Sequence, residues 1–395
     1  MANYAQINPG RYHLGYRFPT PILVDELNMQ SENDHRIELK FKHSIIVNRT
    51  VYVGNVQVFS RKNGTIKVET DSMYKSIVNE FDVFADYNKI EASVNDGENI
   101  TALAEFANKV LQYKQNTLYI INVSGQIEVL ESTNSHKGVN GPSSVCKTDY
   151  GIAWANKHGC YLYDGRSILN LIEKDGMKRI SDSSWTSFLG TNPMVGYFPN
   201  KRQIIIVDAI DDTKVGSCFI YDLVTKSWIK SKDGKFEDAI KSNFINDYNG
   251  DLVYATSATP KKWTNTSVSG SISFISKDID FGQPSVRKKI YRVRISYKGQ
   301  AAALSVKYSV NGDTDTLYLF EGTSNGSPTG SSDASPLEDK SSSDDLTKWN
   351  HAELKPSNSS ESNNVYSFQL HISGTATANI EFNDITIVYR SKNIK

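Results

Sequence analysis

The chain is poor in cysteine, histidine and methionine, with three, seven and five in 395 residues. An odd, low cysteine count excludes a disulfide framework. Cys146, Cys160 and Cys218 all sit in strand-like runs, so they read as buried free thiols. No two histidines share a metal-ligand spacing, which argues against a preformed zinc site. Net charge is also missing: 44 Lys and Arg stand against 44 Asp and Glu. No global field draws the chain to nucleic acid or to an anionic membrane, so such contact would need a local cluster. No stretch approaches the roughly 20 apolar residues of a membrane span. The first residues show no apolar core behind a basic flank, so no signal peptide is expected and the protein should be made in a reducing cytosol. Walker and GxGxxG motifs are absent.

What is abundant is β-forming. Twenty-one Tyr and sixteen Phe accompany runs of Val, Ile and Thr, residues that suit pleated, half-buried surfaces. Residues 145–172, VCKTDYGIAWANKHGCYLYDGRSILNLI, show the pattern best. Two apolar strands flank a polar turn at Lys157-His158-Gly159, and a second turn follows at Asp164-Gly165. Variants of the phrase return at VGYFPNKRQIIIVDAI and CFIYDLVTKSWIKS. A repeated unit of this kind is the mark of a propeller blade. About five such units fall between residues 35 and 260. Further turns are expected at Asn63-Gly64, Lys114-Gln115-Asn116 and Asn249-Gly250. Residues 72–94 come nearest to a helical period and admit a short helix. Residues 173–192, with ISDSSWTSFL, read as a linker.

After residue 268 the alternation lengthens. Tyr291, Val293, Ile295 and Tyr297 fall on one face, and Arg292 and Arg294 on the other. Leu304, Val306, Tyr308 and Val310 repeat the pattern, as do Tyr366, Phe368, Leu370 and Ile372, and then Ile385, Ile387 and Tyr389. Two such faces closing on each other make an antiparallel sandwich. The expected organisation is therefore all-β. An extended docking segment over 1–34 precedes a β-propeller-like domain over 35–267. A β-sandwich over 268–395 follows, with an exposed, mobile Ser/Asp/Gly/Pro-rich loop at 323–345 that buries no core.

Few residues carry chemistry. Asp208, Asp211 and Asp212 offer oxygen ligands for Ca²⁺ but lack the spacing of an EF-hand loop, so a solvated hairpin tip is the simpler reading. A glycan-cleaving propeller needs paired carboxylates, or a Tyr nucleophile with an Arg cluster. Arg166, Arg179 and Arg202 are scattered, and acids such as Asp182 and Asp238 form no pair in sequence. No enzyme activity, cofactor or metal is expected. The one notable charge cluster is Arg287, Lys288 and Lys289 with Arg292, Arg294 and Lys298. It reads either as a contact to a phosphate backbone or a neighbouring subunit, or as a solvated face balanced by Asp278 and Asp280. Trp154, Tyr161, Tyr163 and Trp228 read as blade core.

The phrase SSVCKTDYGIAWANKHGCYLYDG resembles a strand pair in tail propeller proteins of tailed bacteriophages. FGQPSVRKKIYRVRISYKG is similar to their link from propeller to sandwich. The resemblance covers roughly residues 100–310 and rests on structural phrases. It implies a hub, nozzle or DNA-stabilisation component of a short-tailed phage: a virion protein forming a homo-oligomeric ring, six copies by this likeness, around the DNA exit channel. Adaptor, fibre or plug proteins would be its neighbours and genomic DNA would pass through the lumen. The alternative from the residues is a glycan-binding or glycan-cleaving propeller used in host recognition.

Overall fold

The computed structural model describes residues 37–392 apart from segments 61–64, 94–95, 126, 175, 209–215, 232–235, 237–243, 256–258, 264–269, 300–303, 325–326, 329–336, 338–347 and 377–379. The docking segment expected at 1–34, the Asn63-Gly64 turn and the acids Asp211, Asp212 and Asp238 lie outside the described residues. The chain divides into two compact units at Trp263/Thr264. No helix among the described residues is long and apolar enough to cross a membrane.

The first unit is a series of antiparallel sheets. Strands β1 (Ile37–Val47), β2 (Thr50–Ser60), β3 (Thr65–Ile77) and β4 (Glu80–Ile90) form the first sheet, in that order. Strands β5 (Ile100–Phe106), β6 (Lys109–Lys114), β7 (Thr117–Asn122) and β8 (Val129–Ser135) form the second. The third contains β9 (Val145–Thr148), β10 (Gly151–Asn156), β11 (Gly159–Tyr163) and β12 (Ile168–Asn170). A two-stranded ribbon, β13 (Glu173–Lys174) and β14 (Met177–Lys178), and helix α1 (Asp182–Phe188) come next. The fourth sheet holds β15 (Met194–Phe198), β16 (Gln203–Val207), β17 (Cys218–Asp222) and β18 (Ser227–Lys230). The fifth holds β19 (Ile245–Asn246), β20 (Leu252–Ala255) and β21 (Pro260–Lys262).

Each sheet packs through its first strand. β5 lies against β1 and β2 on one side and against β9 and β10 on the other; β9 and β10 meet β15, which meets β19 and β20. Meanders ranked first strand beside first strand have the layout of propeller blades. Apolar side chains fill the spaces between them. Leu111, Tyr113 and Leu118 of the second sheet close on Ile152, Trp154, Tyr161 and Tyr163 of the third. Ala153, Cys160 and Leu162 on the opposite face of the third sheet meet Val195, Ile204, Ile206 and Tyr221 of the fourth. Period-two alternation thus serves two cores at once, which is why these strands read as nearly continuous apolar runs.

The turns obey local chemistry. Asn156 Oδ1 accepts the backbone N–H of His158 at 2.8 Å and of Gly159 at 3.2 Å. Asp164 Oδ1 accepts from Arg166 and Ser167, and Gly165 takes φ +93°. Gly250 takes φ +78° beside Asp247, which caps Asn249 and Asp251. β6 ends at Lys114 and β7 starts at Thr117, which places the expected turn. Gly151 has a stricter reason: at φ +142° an added Cβ would fall 1.9 Å from the Tyr163 carbonyl oxygen.

Two expectations for this unit fail. The described residues 72–93 form no helix; 72–90 run through β3 and β4, joined by a tight turn at Val78-Asn79 in which Asn79 takes φ +66°. Ladder bonding and burial of Met73, Tyr74 and Phe84 outweigh a weak local period. β4 also reaches back to β1 and β2, so the long strands curl around a core of their own: Leu39, Val51, Val53, Val56, Val58, Tyr74 and Phe84. The 173–192 linker contains α1, whose Ser181 cap accepts the Ser184 N–H and whose Trp185 is sealed in, its indole donating to the Asn156 carbonyl at 2.9 Å.

The second unit is a sandwich. One sheet orders β22 (Gly270–Ile275), β30 (Phe368–Ala376), β24 (Leu304–Val310) and β25 (Tyr318–Leu319). The other centres on β23 (Lys288–Lys298), flanked by β28 (Asn350–Leu354), β29 (Asn363–Val365) and β31 (Glu381–Ser391). Short β26 (Thr323–Ser324) and β27 (Ser327–Pro328) pair within the 323–345 segment. Leu337, in the same segment, is fully buried in the sandwich core, so the expectation that this stretch buries nothing is corrected there.

Candidate functional site

The basic cluster read from the sequence sits on β23, and the fold breaks it apart. Lys288 is fully buried, its ammonium donating to the Tyr366 carbonyl at 2.8 Å and to that of Gln283 at 2.5 Å. It lies over the Phe281 ring, 5.8 Å from the centroid. This is a structural lysine, and its assignment as a contact residue is corrected: a partner cannot reach it. Arg292 and Arg294 both pair with Glu353, at 2.7 and 3.2 Å. Glu353 comes from β28, which runs beside β23 with Arg294 opposite Glu353. The counter-ion is therefore cross-strand. Asp278 and Asp280, expected to balance the cluster, instead accept from Ser367 and from the Gly282 N–H.

A bulge makes a second change. Along β31, Ile290 pairs with Tyr389 and Arg292 with Val388, leaving Tyr291 as an extra residue. Ile290, Val293, Ile295 and Tyr297 face the core, and Tyr291 turns outward. The expected face of Tyr291, Val293, Ile295 and Tyr297 is thus corrected at its first member. Tyr366 and Tyr389 are likewise more than a third exposed, whereas Phe368, Leu370 and Ile372 are buried as read.

What remains at the start of β23 is a smaller group. Lys289 and Arg390 are direct cross-strand partners. Both lie over the outward Tyr291 ring, at 5.2 and 6.0 Å. Arg287 lies over the Tyr366 ring at 5.6 Å and donates from Nε to its hydroxyl at 3.0 Å. The Lys392 N–H donates to the Arg287 carbonyl at 2.8 Å, so these two also face each other across the ladder. Nothing in the sequence pattern singles out Arg390 and Lys392. Only the register of β31 brings them here, about 100 residues away along the chain.

In the first unit, a cleft of about 480 Å³ opens where the β6–β7 turn, the β8–β9 connection, the β10–β11 turn and residues 189–193 meet. Gln115, Asn116, Asn140, Thr191 and Lys157 line it together with His136 and His158, whose rings stand 5.1 Å apart. Partial burial, then the charges of Lys157 and His136, holds the His158 pKa below its ordinary value. None of the lining residues is a carboxylate. Among the described residues, no group of three His, Cys, Asp and Glu side chains gathers as a metal site would require.

The other residues singled out in the sequence have structural placements. Asp208 is not at a solvated tip: it is buried, and accepts from Ser217 Oγ at 3.0 Å. Asp182 is an exposed partner of Lys178. Arg179 donates to the Lys226 carbonyl, and Arg202 occupies a left-handed turn position. Cys160 and Cys218 are buried, while Cys146 packs its side chain against the third-to-fourth-sheet core. Burial pushes the Cys146 thiol up to about 12, far from a reactive thiolate.

No protein-family description matches the chain, and no curated protein matches it. Among solved structures, it is similar to the extracellular domain of a protein described as a hybrid two-component system from B. thetaiotaomicron, at 13% identity and a TM-score of 0.36. That match covers 58% of this chain but spans only 26% of the other. It is also similar to an exo-β-1,3-galactanase from Phanerochaete chrysosporium, crystallised with β-1,3-galactotriose, at 9% identity and a TM-score of 0.30, over 88% of this chain and 95% of the other. Likenesses this distant say nothing of activity or partner.

Proposed function

We propose that this chain is a structural subunit of a bacteriophage tail, a hub or nozzle component that assembles as a homo-oligomeric ring around the DNA exit channel. The observation that carries the reading is the distribution of exposed apolar side chains. Ile66, Val68, Val78 and Phe81 on the first sheet are each at least half exposed. Trp349, Val388 and Tyr389 of the sandwich are more than a third exposed. A ring needs two different contact surfaces per subunit, because its contacts are heterologous, and both units carry exposed apolar side chains that could contribute to them. Both units have closed apolar cores, which suits a part that bears mechanical load. The TDYGI…YLYDG phrase supports the phage setting, in which adaptor, fibre or plug proteins are the neighbours. The test is the mass and shape of the purified full chain, by light scattering and electron microscopy, together with antibody labelling of virions. A closed ring and label on the tail are expected. A monomer at all concentrations, with no tail label, would sink the reading.

A second reading, a glycan-binding propeller, draws on the amide-rich cleft. Its lack of lining carboxylates favours binding over cleavage, since glycoside hydrolysis commonly needs two. Binding on a glycan array that is lost in Lys157→Ala would favour it; a null array would remove it.

A further inference from the structure

We propose that Arg287, Lys289, Arg390 and Lys392, with Tyr291 and Tyr366 between them, form a docking face for the phosphodiester backbone of nucleic acid. This face deepens the ring reading, on which it rests for the identity of the polyanion.

Register places the four cations. Lys289 faces Arg390 across the β23–β31 ladder, and Arg287 faces Lys392 one step further along. Like charges placed directly opposite each other destabilise a sheet, yet here two such pairs occur in succession. Among the described residues none of the four has a carboxylate partner, in contrast to Arg292 and Arg294 on the same strand, which share Glu353. The geometry is a two-by-two array. At their Cβ atoms its columns are about 5 Å apart across the ladder and its rows about 7 Å apart along the strands. That is a repeating row of positive charge, and a phosphodiester backbone is a repeating row of negative charge.

Aromatic rings set three of the four cations in place, and the fourth, Lys392, donates from Nζ to Asn364 Oδ1 at 2.5 Å. The bulge turns Tyr291 outward beneath Lys289 and Arg390, and Tyr366 lies beneath Arg287. A cation held over a ring has given up part of its rotamer freedom before any partner arrives, which lowers the cost of binding. Arg287 is further fixed by its hydrogen bond to the Tyr366 hydroxyl. A bulge that gives up an apolar face position to re-aim a side chain is typical of a functional surface.

The full-length protein would be titrated into fluorescein-labelled DNA, single- and double-stranded, across a range of salt. Salt-sensitive binding is expected. Lys289→Gln combined with Arg390→Gln should weaken binding at least tenfold for every sequence and lower the salt slope by about two, one for each phosphate no longer neutralised. Arg292→Gln, whose partner is Glu353, should leave the slope unchanged. Lys289→Arg should retain binding. Melting curves establish that each variant is folded, and the four side chains are partly or fully exposed. No DNA binding by the wild type would overturn the proposal. So would an equal salt slope in the double variant, or tighter binding of poly-glutamate than of DNA, which would mark the face as a dock for acidic protein. A ring that forms but ignores DNA refutes this inference alone, whereas a DNA-binding monomer refutes the ring alone.

Discussion

Trp154 shows how much one side chain holds. It is fully buried between the second and third sheets, with its ring 5.5 Å from Tyr113 and 5.4 Å from Tyr161. Truncation to Ala should cost about 3–5 kcal/mol through reduced burial and a cavity that rigid neighbours cannot fill. Its indole N–H has no hydrogen-bond partner among the described residues, so Trp154→Phe keeps the ring packing and removes nothing polar that is satisfied. That change should cost less than the Ala truncation, because it leaves a smaller cavity. Denaturant melts of both variants check the contrast, and equal costs would refute it. His43 offers a pH test. Burial, aided by the Lys42 charge, lowers its pKa from 6.5 to about 4, against a smaller opposing effect of the Ile100 backbone. The unfolded chain therefore binds this proton first. The neutral imidazole contributes stability that is complete above pH 6.5 and lost as pH falls toward 4, up to roughly 3 kcal/mol. In His43→Gln the slope of stability against pH across that window should flatten.

At the scale of the element, register decides which side chains matter. The bulge at Tyr291 inserts one residue between Ile290 and Arg292 without disturbing the core beyond it. Deleting Tyr291 should therefore restore plain alternation, with the sandwich still folded and its melting little changed. Deleting Val293 instead would turn Ile295 and Tyr297 outward, and should cost several kcal/mol, about 1.5–3 for each side chain exposed. Comparing the two melts tests the assignment; equal damage would sink it. The bulge also explains a limit of sequence reading. Strict period two placed Tyr291 with Val293, because nothing in KKIYRVRISYK marks an extra residue. The same limit hid α1: seven residues are too few for a helical period to stand out from a linker, and α1 is held by Trp185 burial and the Ser181 cap.

At the scale of the whole molecule, the two units have separate cores. The sandwich closes on Ile290, Val293, Ile295, Leu304, Val306, Tyr308, Phe368, Leu370 and Ile372, all contributed by residues after Thr264. Residues 264–395 expressed alone should then fold and melt cooperatively. A fragment lacking a cooperative transition would contradict that. The all-β class, the blade hairpins and most core strands could be read directly from the chain, because alternation and turn chemistry are local properties: Asn156, Asp164 and Gly250 act within a few residues of themselves. The candidate site could not. Whether a cation is buried like Lys288, neutralised like Arg292 and Arg294, or left facing another cation like Lys289 depends on Tyr366, Glu353 and Arg390, each some 60 to 100 residues away in sequence. Strand pairing brings them together through bonds between backbones, which leave no trace in local composition. The run of basic residues was a property of the chain, but only the ladder settled which of those charges stand free.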